Sequence, residues 1–355
     1  MRHQSPSATF YYPSLHGLRA ISISIVLLHH FNKFYIKSTV IDQLPLVGDG
    51  QFGVNIFFVI SGFLITQLLL TEVKKSNTIL IQQFYYRRCI RIFPAYFFLL
   101  SCYALLQFFS VIKISGASWV TAISFTKYFN WWVDWYTLHL WSLSIEEHFY
   151  LLWPLVFLCP KKTRLIFLWS IVVVVPILRV LINKYAVHAW QFDLTIFTRF
   201  DAIAIGCLAA IHQQFLVSRL SKYWHFYSLL FIVVLLVLPY LLPLSAAYHL
   251  HFGYLLIPFG GTVGTIANAC IVGLILIAIH WQSTVTFSIL NNKFLVVIGK
   301  WSYSIYLWQQ LFIARPHYWF QLFPYNIFCL LLAVMISYYG IEKPMLKYKN
   351  WGKKK

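Results

Sequence analysis

Ten blocks of roughly 20 mostly apolar residues, separated by short loops, constrain this chain more than any other feature. They run over about 15–34, 50–71, 92–112, 138–158, 165–183, 192–212, 224–243, 254–280, 294–313 and 319–340. A helix of that length rises about 30 Å, the thickness of a bilayer's hydrocarbon core. No water reaches the backbone there, so each block must satisfy its own N–H and C=O groups, and helices do this. The chain is 60% hydrophobic and 10% charged, too apolar for a soluble domain. The expected fold class is therefore all-α, a polytopic membrane protein of about ten transmembrane helices.

Positive charge predicts the orientation. With the N-terminus inside, 18 Lys and Arg fall in inner loops, six in outer loops and four within the blocks. Such a bias marks the cytoplasmic side and predicts both termini there. The stretch 117–132 is moderately apolar, but a crossing there would invert every later loop. It reads as an outer-surface or re-entrant segment. The net charge of +19 does not form one stripe, which argues against a nucleic-acid partner and for the lipid bilayer as the partner. No cleavable signal peptide is evident, and residues 1–355 read as one transmembrane domain with a short basic tail at 341–355. The six cysteines read as small apolar fillers.

Arg19 and His30 lie eleven residues apart in the first block, about 16 Å of rise and roughly 20° past three turns. They share one face, one near each end. His29 points about 100° away and reads as a packing or interfacial residue. In the fourth block Glu146 and Glu147 are adjacent, and carboxylates in hydrocarbon need partners or a proton. By helical rise, Glu146, His30 and the pair Arg199 and Asp201 fall in one outer layer. A buried network that fixes packing is the plainer alternative. On the inner side, Arg87, Arg88 and Arg91 open the third block. They read either as orientation anchors or as forked donors for a phosphate or pyrophosphate. The string 53–63 is rich in small residues and suits close packing. Tyr303 belongs to a run, 301–310, that mixes hydroxyls and aromatics and reads as a sugar path or an aromatic belt. Glu342 reads as a structural partner of the arginine cluster. No metal site and no permanently bound cofactor are expected.

Taken in order, Leu15-His16-Gly17-Leu18-Arg19 through His30, 53–63, Arg87 to Pro94, Trp141 to Tyr150, Arg199 to Asp201, Ser302 to Trp308 and Glu342 to Pro344 resemble the acyltransferase-3 family of membrane O-acyltransferases. The likeness covers nearly the whole chain. It implies transfer of an acyl group, usually acetyl, from cytoplasmic acyl-CoA to a carbohydrate hydroxyl. The expected acceptor is a surface glycan such as a lipopolysaccharide O-antigen, and the expected location is a bacterial inner membrane. By resemblance, Arg19 and His30 match the family's functional pair and the arginine cluster its CoA-side motif. Three positions depart: His16 stands where Asp is usual, His148 where Gln is common, and Gln309 where many members have His. No catalytic role is assigned to Gln309.

The expected mechanism follows. Arg87, Arg88 and Arg91 hold the phosphates of acyl-CoA as co-substrate, and Arg19 guides its pantetheine arm inward. His30 is the general base, oriented by Glu146 or Glu147. Arg199, Asp201 and Tyr303 serve substrate, with Arg199 or Tyr303 at the oxyanion. Other classes stay open: a glycolipid transporter or flippase, a non-catalytic scaffold, or an enzyme whose acceptor is a cytoplasmic lipid or small molecule.

Overall fold

The computed structural model describes residues 12–44, 46, 48–129, 134–185, 198–247, 264–281 and 285–350. Residues 192–197 and 254–263 of the expected sixth and eighth blocks, 130–132 of the outer segment and the tail past 350 lie outside the described residues.

The described residues are mainly helical, without strands. The principal helices are α1 (Pro13–Phe31), α2 (Gly50–Ser76), α3 (Ile81–Phe108), α4 (Leu140–Leu158), α5 (Lys161–Tyr185), α6 (Phe200–Ile211), α7 (Trp224–Ala247), α8 (Thr265–His280), α9 (Lys293–Phe312) and α10 (Tyr325–Met335). Their ends follow local chemistry. Pro13 opens α1 at a position that needs no N–H donor. The Asp49 and Asn292 side chains cap α2 and α9 by accepting from the backbone N–H two residues on. Asn77 closes α2 in the left-handed conformation.

Each helix coincides with one of the ten apolar blocks, yet the ability to cross a bilayer is unequal. Gly50–Ser76, Ile81–Phe108 and Tyr325–Leu346 are long and apolar enough, and a fourth span exists if Phe200–Ile211 and Gln213–Leu220, bent by 80°, count as one. In α1, α4 and α9 the polar residues are what dilute the apolar run: Arg19 and three histidines, then Glu146-Glu147-His148, then Lys300 with Gln309-Gln310. Helix α3 starts eleven residues before the expected block, because its arginine-rich first turns read as loop. The stretch expected at the outer surface holds an eight-residue helix, Gly116–Ile123, about 12 Å long and too short to cross.

Helix α2 packs most extensively on α6, and α1 on α9 and α2. Small residues make these approaches possible. A Cβ on Gly62 would meet the Ile203 carbonyl, and one on Gly206 would meet the Val59 carbonyl, so each helix supplies a gap for the other's backbone. Ser22 of α1 hydrogen-bonds the Gly53 carbonyl of α2. Gly299 of α9 lies against the His16 carbonyl. Arg19 is thereby clasped between α2 and α9. The core is aromatic: Trp153, Tyr96, Tyr103, Phe58 and Phe63 are fully buried. Outward, Phe108, Leu152, Leu158, Val173 and Phe328 are exposed. In water that surface would be a liability; in a bilayer it is the solvated face, and the chain is an integral membrane protein.

Candidate active site

A cavity of about 250 Å³ opens among α1, α2, α3, α4, α9 and the chain that continues α10. Its wall carries Arg19, Arg88, Arg91 and Lys300, four cationic side chains, against the carboxylates of Glu146 and Glu342. Positive charge is in excess, so the cavity suits an anionic group on a narrow ligand. Of the residues expected in a site, it gathers Arg19, Arg88, Arg91, Glu146 and Tyr303. It leaves out His30, Glu147, Arg87, Arg199 and Asp201.

Local contacts explain the division. Arg88 and Arg91 are three residues apart and share a face of α3. The Arg88 guanidinium lies 4.6 Å over the Tyr150 ring, a cation–π contact. Arg87 faces elsewhere and donates to Glu72 Oε2 at 2.7 Å, while the other oxygen of Glu72 accepts from the Leu80 amide at 2.9 Å. Arg87 thus ties down the turn between α2 and α3. The expected three-arginine phosphate cluster is two cavity residues and one anchor.

Glu146 accepts from Ser61 Oγ and from Tyr150 OH, both at 3.1 Å. Those bonds aim it into the cavity, within electrostatic reach of Arg19 and Arg88. Glu147, one residue on and 100° round the helix, lies outside the cavity. Tyr303 OH donates to the Ile92 carbonyl at 2.8 Å, tying α9 to α3. Glu342 accepts from Ser304 at 3.0 Å and sits near Arg91, as expected of a structural partner that also lines the cavity.

His30 stands apart at the other end of α1. Its Nδ1 faces Gln309 Oε1 at 3.2 Å, and its ring meets Trp135 edge-on at 5.3 Å. The expectation that Glu146 or Glu147 orients this imidazole does not match that geometry. Rise alone put the groups in one layer, but rotation about α4 turns Glu146 toward Ser61 and Tyr150. His29 Nδ1 contacts the Gly48 carbonyl at 2.7 Å, a packing role. On the cavity wall Tyr306 and Ser142 are hydrogen-bonded at 2.6 Å, and the His139 carbonyl accepts from Tyr306 OH at 2.8 Å.

Arg199 and Asp201 belong to a different cluster. Asp201, fully buried, accepts from Arg179 at 2.6 Å, Thr265 at 3.2 Å and Asn268 at 3.3 Å. Asn268 in turn pairs with Asn55, and Arg199 bonds Gln51. The cluster joins α2, α5, α6 and α8, and none of its residues lines the cavity. Its partner Arg179 sits on another helix, so no spacing in the sequence pointed to it.

The acyltransferase-3 family model, described as an acyltransferase domain, matches residues 12–341. The chain belongs to the acyltransferase-3 family. O-acetyltransferase OatA of Staphylococcus aureus strain NCTC 8325 / PS 47 is 32% identical to it over 372 residues, 95% of this chain and 57% of OatA. OatA of strain COL matches with the same figures. The chain therefore spans less than three-fifths of the length of these curated relatives. No solved structure matches the chain.

In this acyltransferase-3 chain His16, Ser61, Tyr150, Lys300 and Tyr306 also line the cavity, though the sequence named His16 only as a departure from the family and Tyr306 only within the run 301–310. Three had a legible signal. His16 lies three residues before Arg19 and Tyr150 four after Glu146, spacings that share a helix face. Lys300 is a cation inside an apolar block, which by itself marks a site.

Proposed function

We propose that the chain is a membrane O-acetyltransferase that moves an acetyl group from cytoplasmic acyl-CoA to a hydroxyl of a surface carbohydrate. One observation carries this reading: the cationic cavity walled by Arg19, Arg88 and Arg91. Its volume of about 250 Å³ suits an extended thin arm ending in a small acyl group, with the diphosphate and nucleotide at the mouth beside the arginines. The likeness to OatA supports acetyl as the group moved. Ten crossings with both termini cytoplasmic would put the α3 arginines at the inner face and His30 near the outer one. A bacterial inner membrane and a glycan such as a lipopolysaccharide O-antigen complete the reading.

The chemistry runs between the two ends of α1. The thioester passes Tyr306 and Ser142 toward His30. His30 takes the proton of the acceptor hydroxyl as its oxygen bonds to the acyl carbon. The carbon–sulfur bond breaks, and the sulfur leaves with that proton as CoA. A water-poor bundle limits hydrolysis of the thioester. The test is thiol release by the purified protein in nanodiscs given acetyl-CoA and a glycan acceptor. Release that needs both substrates and falls in Arg19→Met is expected. Equal release by wild type and Arg19→Met would overturn the reading of the cavity.

A further inference from the structure

We propose that Gln309 is the positioning residue of His30, fixing the tautomer in which Nε2 is free to act as the base. The inference rests on the acyltransferase reading for what the base does, but the pairing stands on its own geometry. Gln309 is fully buried in α9. Its Oε1 lies 3.2 Å from His30 Nδ1, a contact that joins α1 to α9 across 279 residues of sequence.

The other polar groups near this imidazole are engaged elsewhere. Glu146 accepts from Ser61 and Tyr150. His139 faces Gln310 Oε1 at 2.7 Å and the Leu307 carbonyl at 3.0 Å. His29 faces the Gly48 carbonyl. An amide oxygen only accepts, so Nδ1 carries the proton and Nε2 keeps its lone pair. The reversed amide would donate to Nδ1, protonate Nε2 and leave no base. Because the amide is neutral, it orients the ring without adding the charge of the carboxylate found in a Ser-His-Asp triad.

The outer end of α1 is built to keep this alignment. Asn32 Nδ2 donates to the Ser38 carbonyl at 3.0 Å and to Asp42 at 2.7 Å. Trp135, edge-on to His30, donates its Nε1 to the Gln310 carbonyl at 3.0 Å. The ring is therefore packed from the side by residues tied to the same turn of α9 that holds its Nδ1.

The test uses the full chain in nanodiscs with ¹⁵N-labelled histidine, the His30 signals being assigned by their loss in His30→Ala. The wild type is expected to show a protonated Nδ1. Gln309→Met, unbranched and of similar length, is expected to give a mixture of tautomers. In acyl transfer it lowers kcat about 10²-fold, within the range that general-base catalysis contributes, and leaves KM for acyl-CoA within about twofold. Gln309→Glu keeps an acceptor on Nδ1. It retains transfer and moves the acid limb of the pH–rate profile to higher pH, since a carboxylate favours the imidazolium. The charged and titratable groups around His30 are His29 and Lys33 from its own segment and His139 from across the bundle, and all are unchanged in these variants. A proton on Nε2 in the wild type, or a Gln309→Met protein with unchanged tautomer and pH profile, overturns the proposal. A wild type that transfers no acyl group overturns the enzyme reading instead, while the ¹⁵N spectra still decide the pairing.

Discussion

Arg87 and Arg88 are neighbours in sequence with opposite assignments, and that contrast can be measured. Arg88 lines the cavity with its guanidinium over the Tyr150 ring; Arg87 is spent on Glu72, and both of those side chains are only 12% exposed. A hydrogen bond to a charged group contributes about 1.5–3 kcal/mol. At about 1.4 kcal/mol per decade, Arg88→Met should weaken acyl-CoA binding by roughly ten- to hundredfold. Arg88→Lys should recover part of it, because the charge remains but the planar fork and the stacking do not. Arg87→Met should leave acyl-CoA binding within about twofold. It should instead lower thermal stability, since Glu72 would be left with one backbone donor and no cation. Equilibrium binding of labelled acetyl-CoA to the purified variants, beside their melting curves, reads both effects. Equal binding losses in the two variants, or a larger loss in Arg87→Met, would refute the division of the cluster.

Other consequences are open to simple assays. Gly62→Leu should destabilise the protein by about 1–3 kcal/mol or more, as overpacking does, because its Cβ meets the Ile203 carbonyl; the same change at Gly116, which faces open space, should not, and melting curves of the two compare them. Asp201→Asn leaves Arg179 without its counter-ion and should cost about 3–5 kcal/mol, while protein that folds keeps its KM for acyl-CoA; a raised KM would return the pair to the site. Lys127, buried outside the spanning helices with its Nζ donating to Ser118 at 2.8 Å, has its pKa lowered to about 8 by burial, against the opposing pull of Asp134. Its ammonium is therefore disfavoured in the folded state, a cost present in full below pH 8 and gone above its ordinary value of 10.5. Hydrogen-exchange protection of residues 116–129, corrected for intrinsic rate, should rise between those pH values and stay flat in Lys127→Met; a fall in the wild type would contradict the sign.

The positions of the helices were legible because apolar runs near bilayer length admit few other folds. The start of α3 was not, since an arginine-rich first turn looks like a loop until its side chains find Tyr150 and Glu72. Depth along a helix proved an incomplete coordinate for Glu146 and His30. Rise sets the layer, but rotation sets the partner, and rotation depends on contacts from other helices. Asp201 and Arg179 make the same point across α5 and α6. Gln309 was noted only as a departure from the family's His and given no catalytic role, because a neutral amide in an aromatic run carries no sign of its partner until α1 is packed beside it.

The measurement that tests the central claim most directly is the O-acetyl content of surface polysaccharide from cells expressing wild type or His30→Ala at matched membrane levels. Acetylation present with the wild type and lost in His30→Ala is the predicted result. Equal acetylation in both would remove His30 from the chemistry and contradict the account.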